Sequence, residues 1–235
     1  LKSLEKDRIA KVLEPYGIHL LKFSADERNC LALVSLKPTD TASASVSKIK
    51  GRLSKFVRAN DDLSAEVRLF SRGYFAATSG KSKQSQITSY LSKQASHHGY
   101  EKRRIPPVFQ RDFATCADAE EQLNPAHAVT CLRYHIVLAT TARKGVFGSE
   151  SGPKVALAWL DAEQENRFKL IKVSFLPDHV HLAIRSHPTV APARIVSKLM
   201  NVGEEVMWDR YSEHVIQAGV DRLFKPSAYV GGYGN

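Results

Sequence analysis

The chain has 235 residues, a length that suits one large domain or two small ones. Its apolar content of 43% is ordinary for a soluble globular protein, and no apolar run approaches the ~20 residues needed to span a bilayer. A formal charge of +10 favours nucleic acid or an acidic surface as partner. The start shows no signal-peptide pattern. The three cysteines, Cys30, Cys116 and Cys131, are far apart and odd in number; they make neither a disulfide framework nor a zinc knuckle, and a reducing cytoplasm is expected.

In chain order, Ile18 to Ser24 is expected to be a strand and Val46-Ser47-Lys48-Ile49 part of a helix. Residues 83–98 form a helix. Residues 99–128 carry Arg103-Arg104, Pro106-Pro107 and Asn124-Pro125, as a linker would, with a short helix near 116–123. Residues 132–139 (LRYHIVLA) are a strand, and Lys154 to Arg167 a helix behind Pro153, a good first-turn residue. Lys169 to Phe175 and 179–186 are strands joined by the turn Leu176-Pro177-Asp178. Residues 191–211 place Ile195, Val196, Leu199, Val202, Val206 and Met207 at helical spacing, and 228–233 form a last strand.

From residue 132 onward the order is β-α-β-β-α-β, the ferredoxin-like arrangement: a four-stranded antiparallel sheet with two helices on one face. The first half repeats it. Ile18–Ser24 matches Phe168–Ser174 at a shift of 150, as Pro38-Thr39 matches Pro188-Thr189 and Val46–Ile49 matches Val196–Leu199. After a small gap, Leu69-Phe70 matches Leu223-Phe224 and Gly80 matches Gly234, at a shift of 154. Such self-similarity indicates duplication. The expected fold is α+β: two ferredoxin-like units, 1–98 and 129–235, fused as a pseudo-dimer. The first lacks an opening strand, and the second stops at Asn235 without a helix to match 83–98.

The sharpest chemical signal is Leu-Pro-Asp-His-Val-His-Leu at 176–182. Residues two apart on a strand face the same side, so His179 and His181 could bind one divalent ion, or be a pair of exposed or core histidines. A His-hydrophobe-His strand after "PDH", preceded by a "YHIV" strand, resembles the HUH single-tyrosine transposases of small bacterial insertion sequences, the TnpA type, and their relatives the REP-associated tyrosine transposases. The resemblance spans 131–235 and, with one break, 1–98. It implies the ferredoxin-like fold, a histidine pair that binds Mg²⁺ or Mn²⁺, and a nucleophilic tyrosine on the helix after the last strand. There a Tyr-x-x-x-Gln pattern supplies the glutamine that completes the metal site. The pattern occurs here as Tyr90-Leu91-Ser92-Lys93-Gln94, after Ser71 to Thr78, which resembles the family's last strand. Positions i and i+4 share one helix face. The resemblance therefore assigns Tyr90 as nucleophile and His179, His181 and Gln94 as metal ligands. It also implies single-stranded DNA with a hairpin as partner, a 5′-phosphotyrosine intermediate, and a place in the bacterial cytoplasm at the nucleoid.

The first half departs from the family. At the positions that match His179 and His181 it has Asn29 and Leu31, and leucine cannot ligate a metal. The intact histidines and the tyrosine helix thus lie in different halves, and one chain, monomeric in solution, would hold a single composite site. Tyr229 aligns with Phe75 in a last strand and, like Tyr134, is expected to be structural. His97-His98 is expected to be a helix end. Arg68, Arg72, Lys81, Lys83, Lys93, Arg103, Arg104, Arg143 and Lys144 could contact phosphates. The rival readings are a hairpin-DNA-binding regulator that has lost catalysis and an HUH replication initiator or relaxase.

Overall fold

The computed structural model describes residues 5–26, 28–61, 64, 66–94, 109–113 and 123–234. The chain divides into two compact units, Leu1–Tyr74 and Phe75–Asn235. In the first, helix α1 (Lys6–Leu13) leads into the antiparallel hairpin of β1 (His19–Ala25) and β2 (Cys30–Ser35), and helix α2 (Ala42–Asn60) follows. This is the α-β-β-α order of the repeat. The Asp26 carboxylate shapes the hairpin turn by accepting from the Arg28 and Asn29 backbone amides, both at 2.7 Å. Thr41 caps α2 by accepting from the Ala44 amide. Ile9, Leu13, Ile18 and Leu53 are buried together and form this unit's core.

Strand β3 (Tyr74–Ala77) begins on the last residue of the first unit and pairs with β5 (Ala128–Cys131). Helix α3 (Gln84–Ser92) follows β3, and β4 (Phe109–Asp112) precedes β5. Next come β6 (Arg133–Thr140), α4 (Ser151–Asp161), α5 (Glu163–Asn166), β7 (Phe168–Leu176), β8 (His179–Ser186), α6 (Pro192–Gln217) and β9 (Phe224–Gly232). The main sheet has the order β4-β7-β8-β6-β9, antiparallel throughout. Strands β6, β7, β8 and β9 with helices α4 and α6 make the ferredoxin-like β-α-β-β-α-β arrangement, and β4 adds a fifth strand beside β7. The fold is α+β with antiparallel sheets, as the alternation in the sequence indicates.

One face of the sheet carries the core. Ile136, Leu138, Val173, Phe175, Val180, Leu182 and Ile184 meet Val155 and Trp159 of α4 and Ile195, Leu199 and Met207 of α6. Burying each such side chain contributes roughly 1.5–3 kcal/mol. The Trp159 indole donates to the Leu199 carbonyl at 2.7 Å, so its one polar atom is satisfied.

Element ends differ from the sequence expectation for local reasons. Helix α4 starts at Ser151 rather than Lys154, because Pro153 fits anywhere in the first turn, where its missing N–H has no helical partner to lose. Arg167, left-handed at φ 53°, ends α5. Helix α6 runs past Tyr211, where the backbone bends (φ −137°), to Gln217. Strand β9 starts at Phe224, four residues early, and includes Pro226, which an edge strand tolerates. Within the segment expected as a linker, Phe109–Asp112 pairs with β7. Of the expected helix at 83–98, α3 forms Gln84–Ser92, and at Lys93 the backbone leaves helical geometry (φ −103°, ψ 15°); residues 95–98 lie outside the described residues. Arg103, Arg104 and the expected helix at 116–123, apart from Leu123, lie outside the described residues.

Candidate active site

The second face of the sheet carries the histidines. Val180 points into the core, so His179 and His181, one residue to either side, point away from it. This face is covered by α3, whose buried Ile87 and Leu91 pack on Ile171, Ala183 and Tyr233. A register shift between Leu170 and Lys172 creates that seat. Leu170 and Val173 both remain in the core while the residues between them, Ile171 and Lys172, serve the α3 side.

The segment before α3 is tied to the end of β9. Thr78 Oγ1 donates to the Tyr233 carbonyl at 2.9 Å, and the Gln84 amide to the Gly234 carbonyl at 3.0 Å. A Cβ at Gly80 would collide with the Gly232 carbonyl oxygen, so glycine is required for this approach. The Lys83 amide donates to Gln86 Oε1 at 2.7 Å and starts the helix.

Tyr90 is thereby delivered to the histidines, and Gln94 follows two residues beyond the end of α3. The Tyr90 ring stands edge-on to His181, with centroids 5.4 Å apart, and 6.0 Å from His135. Gln94 is fully buried. Its Nε2 donates to the Tyr90 carbonyl at 2.8 Å, while its Oε1 has no hydrogen-bond partner among the described residues. Beside Tyr90 a pocket of about 510 Å³ is lined by Ser85, Gln86, Ser89 and Lys93. All four residues expected to form the site therefore lie in the second compact unit.

The histidines are buried and held from behind. His179 Nδ1 lies 2.6 Å from Asp178 Oδ1, and the Arg143 guanidinium is 2.8 Å from Asp178 Oδ2. Burial pushes the Asp178 carboxyl up, but its bond to His179 and the charges of His179 and Arg143 outweigh this and lower it overall. Arg143 also lies 3.2 Å from His179 Nδ1. That nitrogen cannot accept from Arg143 while it donates to Asp178, and the short contact with an acceptor-only carboxylate is the hydrogen bond. His181 Nδ1 lies 3.0 Å from His135 Nε2 on β6. Burial holds His135 down at about 4, so it is neutral near pH 7.

Among the described residues, no group of three or more His, Cys, Asp or Glu side chains could hold a metal ion. Any cation here needs oxygen donors of another type beside the two imidazoles. The orphaned Gln94 Oε1 is such a donor. Ser174, opposite His181 on β7 and fully buried, has a hydroxyl with no partner among the described residues and is a second. The donor set fits a divalent ion that accepts mixed nitrogen and oxygen ligands.

The other expected residues are placed as follows. Lys81, Lys83, Lys93 and Lys144 are exposed in the second unit, and Arg72 is exposed in the first. Arg143, expected as a phosphate contact, is engaged with Asp178. Leu31 is 71% exposed and Asn29 lies in the hairpin turn, so the first unit has no histidine pair at the matching positions. His135, Asp178 and Ser174 escaped the sequence reading. His135 stands within the "YHIV" strand and Asp178 within "PDH", so both were in view without a signal of their contacts.

The sheet thus carries a His-x-His strand on one face, with the tyrosine helix packed over it. The profile of the family described as "Transposase IS200 like" matches residues 2–94 and 128–235, and the chain belongs to that family. The two matched segments agree with the internal repeat. Among solved structures, the chain resembles that of a transposase candidate from Deinococcus radiodurans R1, with 24% identity and a TM-score of 0.40, over 42% of this chain and 76% of that one. No curated protein matches the sequence. No helix among the described residues is long and apolar enough to cross a membrane.

Proposed function

We propose that the protein cleaves and rejoins single-stranded DNA at hairpin-bearing ends through a 5′-phosphotyrosine on Tyr90. The observation that carries this reading is the placement of Tyr90 against His181, with Gln94, just past the end of α3, bonded to the Tyr90 carbonyl and keeping a buried acceptor without a partner among the described residues. The Tyr90 oxygen attacks the scissile phosphorus, the bond to the 3′ oxygen breaks, and that oxygen takes a proton to become a free 3′ hydroxyl. The phosphoester is conserved, so attack by a 3′ hydroxyl on the phosphotyrosine rejoins the strands without ATP.

His179, His181 and Gln94 would hold Mg²⁺ or Mn²⁺. When bound, such an ion neutralises phosphate charge and orients the phosphate for in-line attack. Lys81, Lys83 and Lys93, exposed just before and just after α3, favour a polyanion. In this reading one chain suffices, which the presence of α3 and the histidine strand in the same compact unit supports. The natural setting is the bacterial nucleoid. Incubation with labelled hairpin-bearing single strands and Mn²⁺ should give a denaturation-resistant adduct that Tyr90→Phe abolishes while DNA binding persists. Binding without any adduct in the wild type would leave only a regulator.

A further inference from the structure

A second tyrosine borders this site, and the reaction proposed above does not use it. Tyr229 on β9 is the cross-strand partner of Val137, and Val137 is also the partner of His181. The three residues form one row on the α3 face of the sheet. The Tyr229 ring stands 5.6 Å from His135 at 67°, on the same imidazole that Tyr90 approaches. It is 57% exposed.

The neighbour on this face, two residues along, is Gly231. A Cβ there would collide with the Tyr229 hydroxyl and ring carbons. The ring therefore lies along the strand above Gly231, with more than half of the residue's surface exposed. Phe75, the matching residue of the first repeat, is also aromatic and 67% exposed. The first repeat has Asn29 and Leu31 where histidines would stand, and it has no hydroxyl at position 75, yet it keeps the ring. What the two positions share is a flat apolar face, not acid–base chemistry.

We propose that Tyr229 is a stacking platform for a base of the single strand, one close to the bond that Tyr90 breaks. This rests on the function proposed above. A nucleobase matches an open ring face in a strongly basic protein, since every base has a π-face and its phosphates meet the lysines. Gly231 sets the platform's height, because any side chain there would lift the ring.

The test uses the full chain carrying Tyr90→Phe, so that DNA binds without being cut, and a single strand in which 2-aminopurine is moved base by base. One position should show quenching on binding. Adding Tyr229→Ala, or Gly231→Ala, which keeps the tyrosine but displaces it, should remove that quenching. Each should weaken binding by about fivefold to a hundredfold. The slope of affinity against salt should not change, because no phosphate contact is lost. Tyr229→Phe should restore both quenching and affinity. Unaltered binding and quenching with Tyr229→Ala would overturn the proposal alone. So would loss of the covalent adduct in a Tyr229→Phe protein with Tyr90 intact, which would make Tyr229 the nucleophile. A failure of the Tyr90→Phe protein to bind single strands at all would remove both this proposal and the function on which it rests.

Discussion

His181 on β8 and His135 on β6 meet through their ring nitrogens, Nδ1 to Nε2 at 3.0 Å, with the rings within 18° of parallel. One of the two must donate. If His181 is to present Nε2 to a cation, Nδ1 must carry the proton and His135 Nε2 must accept it. His135 can do so because burial keeps it neutral. Nitrogen-15 spectra of the metal-free protein should show His181 protonated on Nδ1. His135→Ala should weaken Mn²⁺ binding by roughly 10–100-fold, the usual effect of removing a group that orients a ligand. A His181 protonated on Nε2 in the wild type would exclude it as a ligand through that atom.

Asp178 does the same for His179, with Arg143 as its anchor. The backbone of Ala142 and Arg143 is left-handed at φ 53° and 56°, a conformation that costs non-glycine residues of order 1 kcal/mol or more each. It is held by the Thr140 hydroxyl, 2.7 Å from the Lys144 carbonyl and 2.9 Å from that of Asp178. Asp178→Ala should lower Mn²⁺ affinity roughly 10–100-fold, whereas Asp178→Asn, which keeps an acceptor for Nδ1–H, should lose much less. Calorimetric titration of the three proteins checks this, and equal losses in both variants would contradict it.

Gly80 is the point at which the tyrosine helix is fastened. Gly80→Ala forces a Cβ into the Gly232 carbonyl, backbone against backbone, and should destabilise by about 1–3 kcal/mol. Because α3 follows within a few residues, hydrogen exchange in 84–92 should rise more than exchange in β6 to β8. Uniform exchange across the unit would show that α3 does not depend on this contact.

The second repeat was legible almost strand by strand, because Phe168–Leu176 and His179–Ser186 are bounded by a Pro-Asp turn and because Pro153 marks a helix start. The expected site residues stood out by their spacing, His179 and His181 two apart on a strand and Tyr90 and Gln94 four apart, although α3 ends at Ser92, between the last two. What the sequence hid is long-range. Nothing local shows that His135 would meet His181 across two strands, or that Asp178 would bind Arg143. Phe109–Asp112 lies among prolines and charges, and becomes a strand only because β7 offers a free edge. The repeat also suggests a helix 83–98 that belongs with the first half, whereas Ile87 and Leu91 find their apolar partners in the second.

In the proposed reaction one chain's Tyr90 serves that same chain's histidines, and a mixing experiment separates this from exchange between chains. Tyr90→Phe and His179→Ala proteins are each inactive on this account, and each lacks a different half of the chemistry. Combined in equal amounts with hairpin-bearing single strands and Mn²⁺, they should form no more adduct than either alone. Strong recovery of cleavage in the mixture would show that chains exchange tyrosine helices, and would contradict the single-chain site.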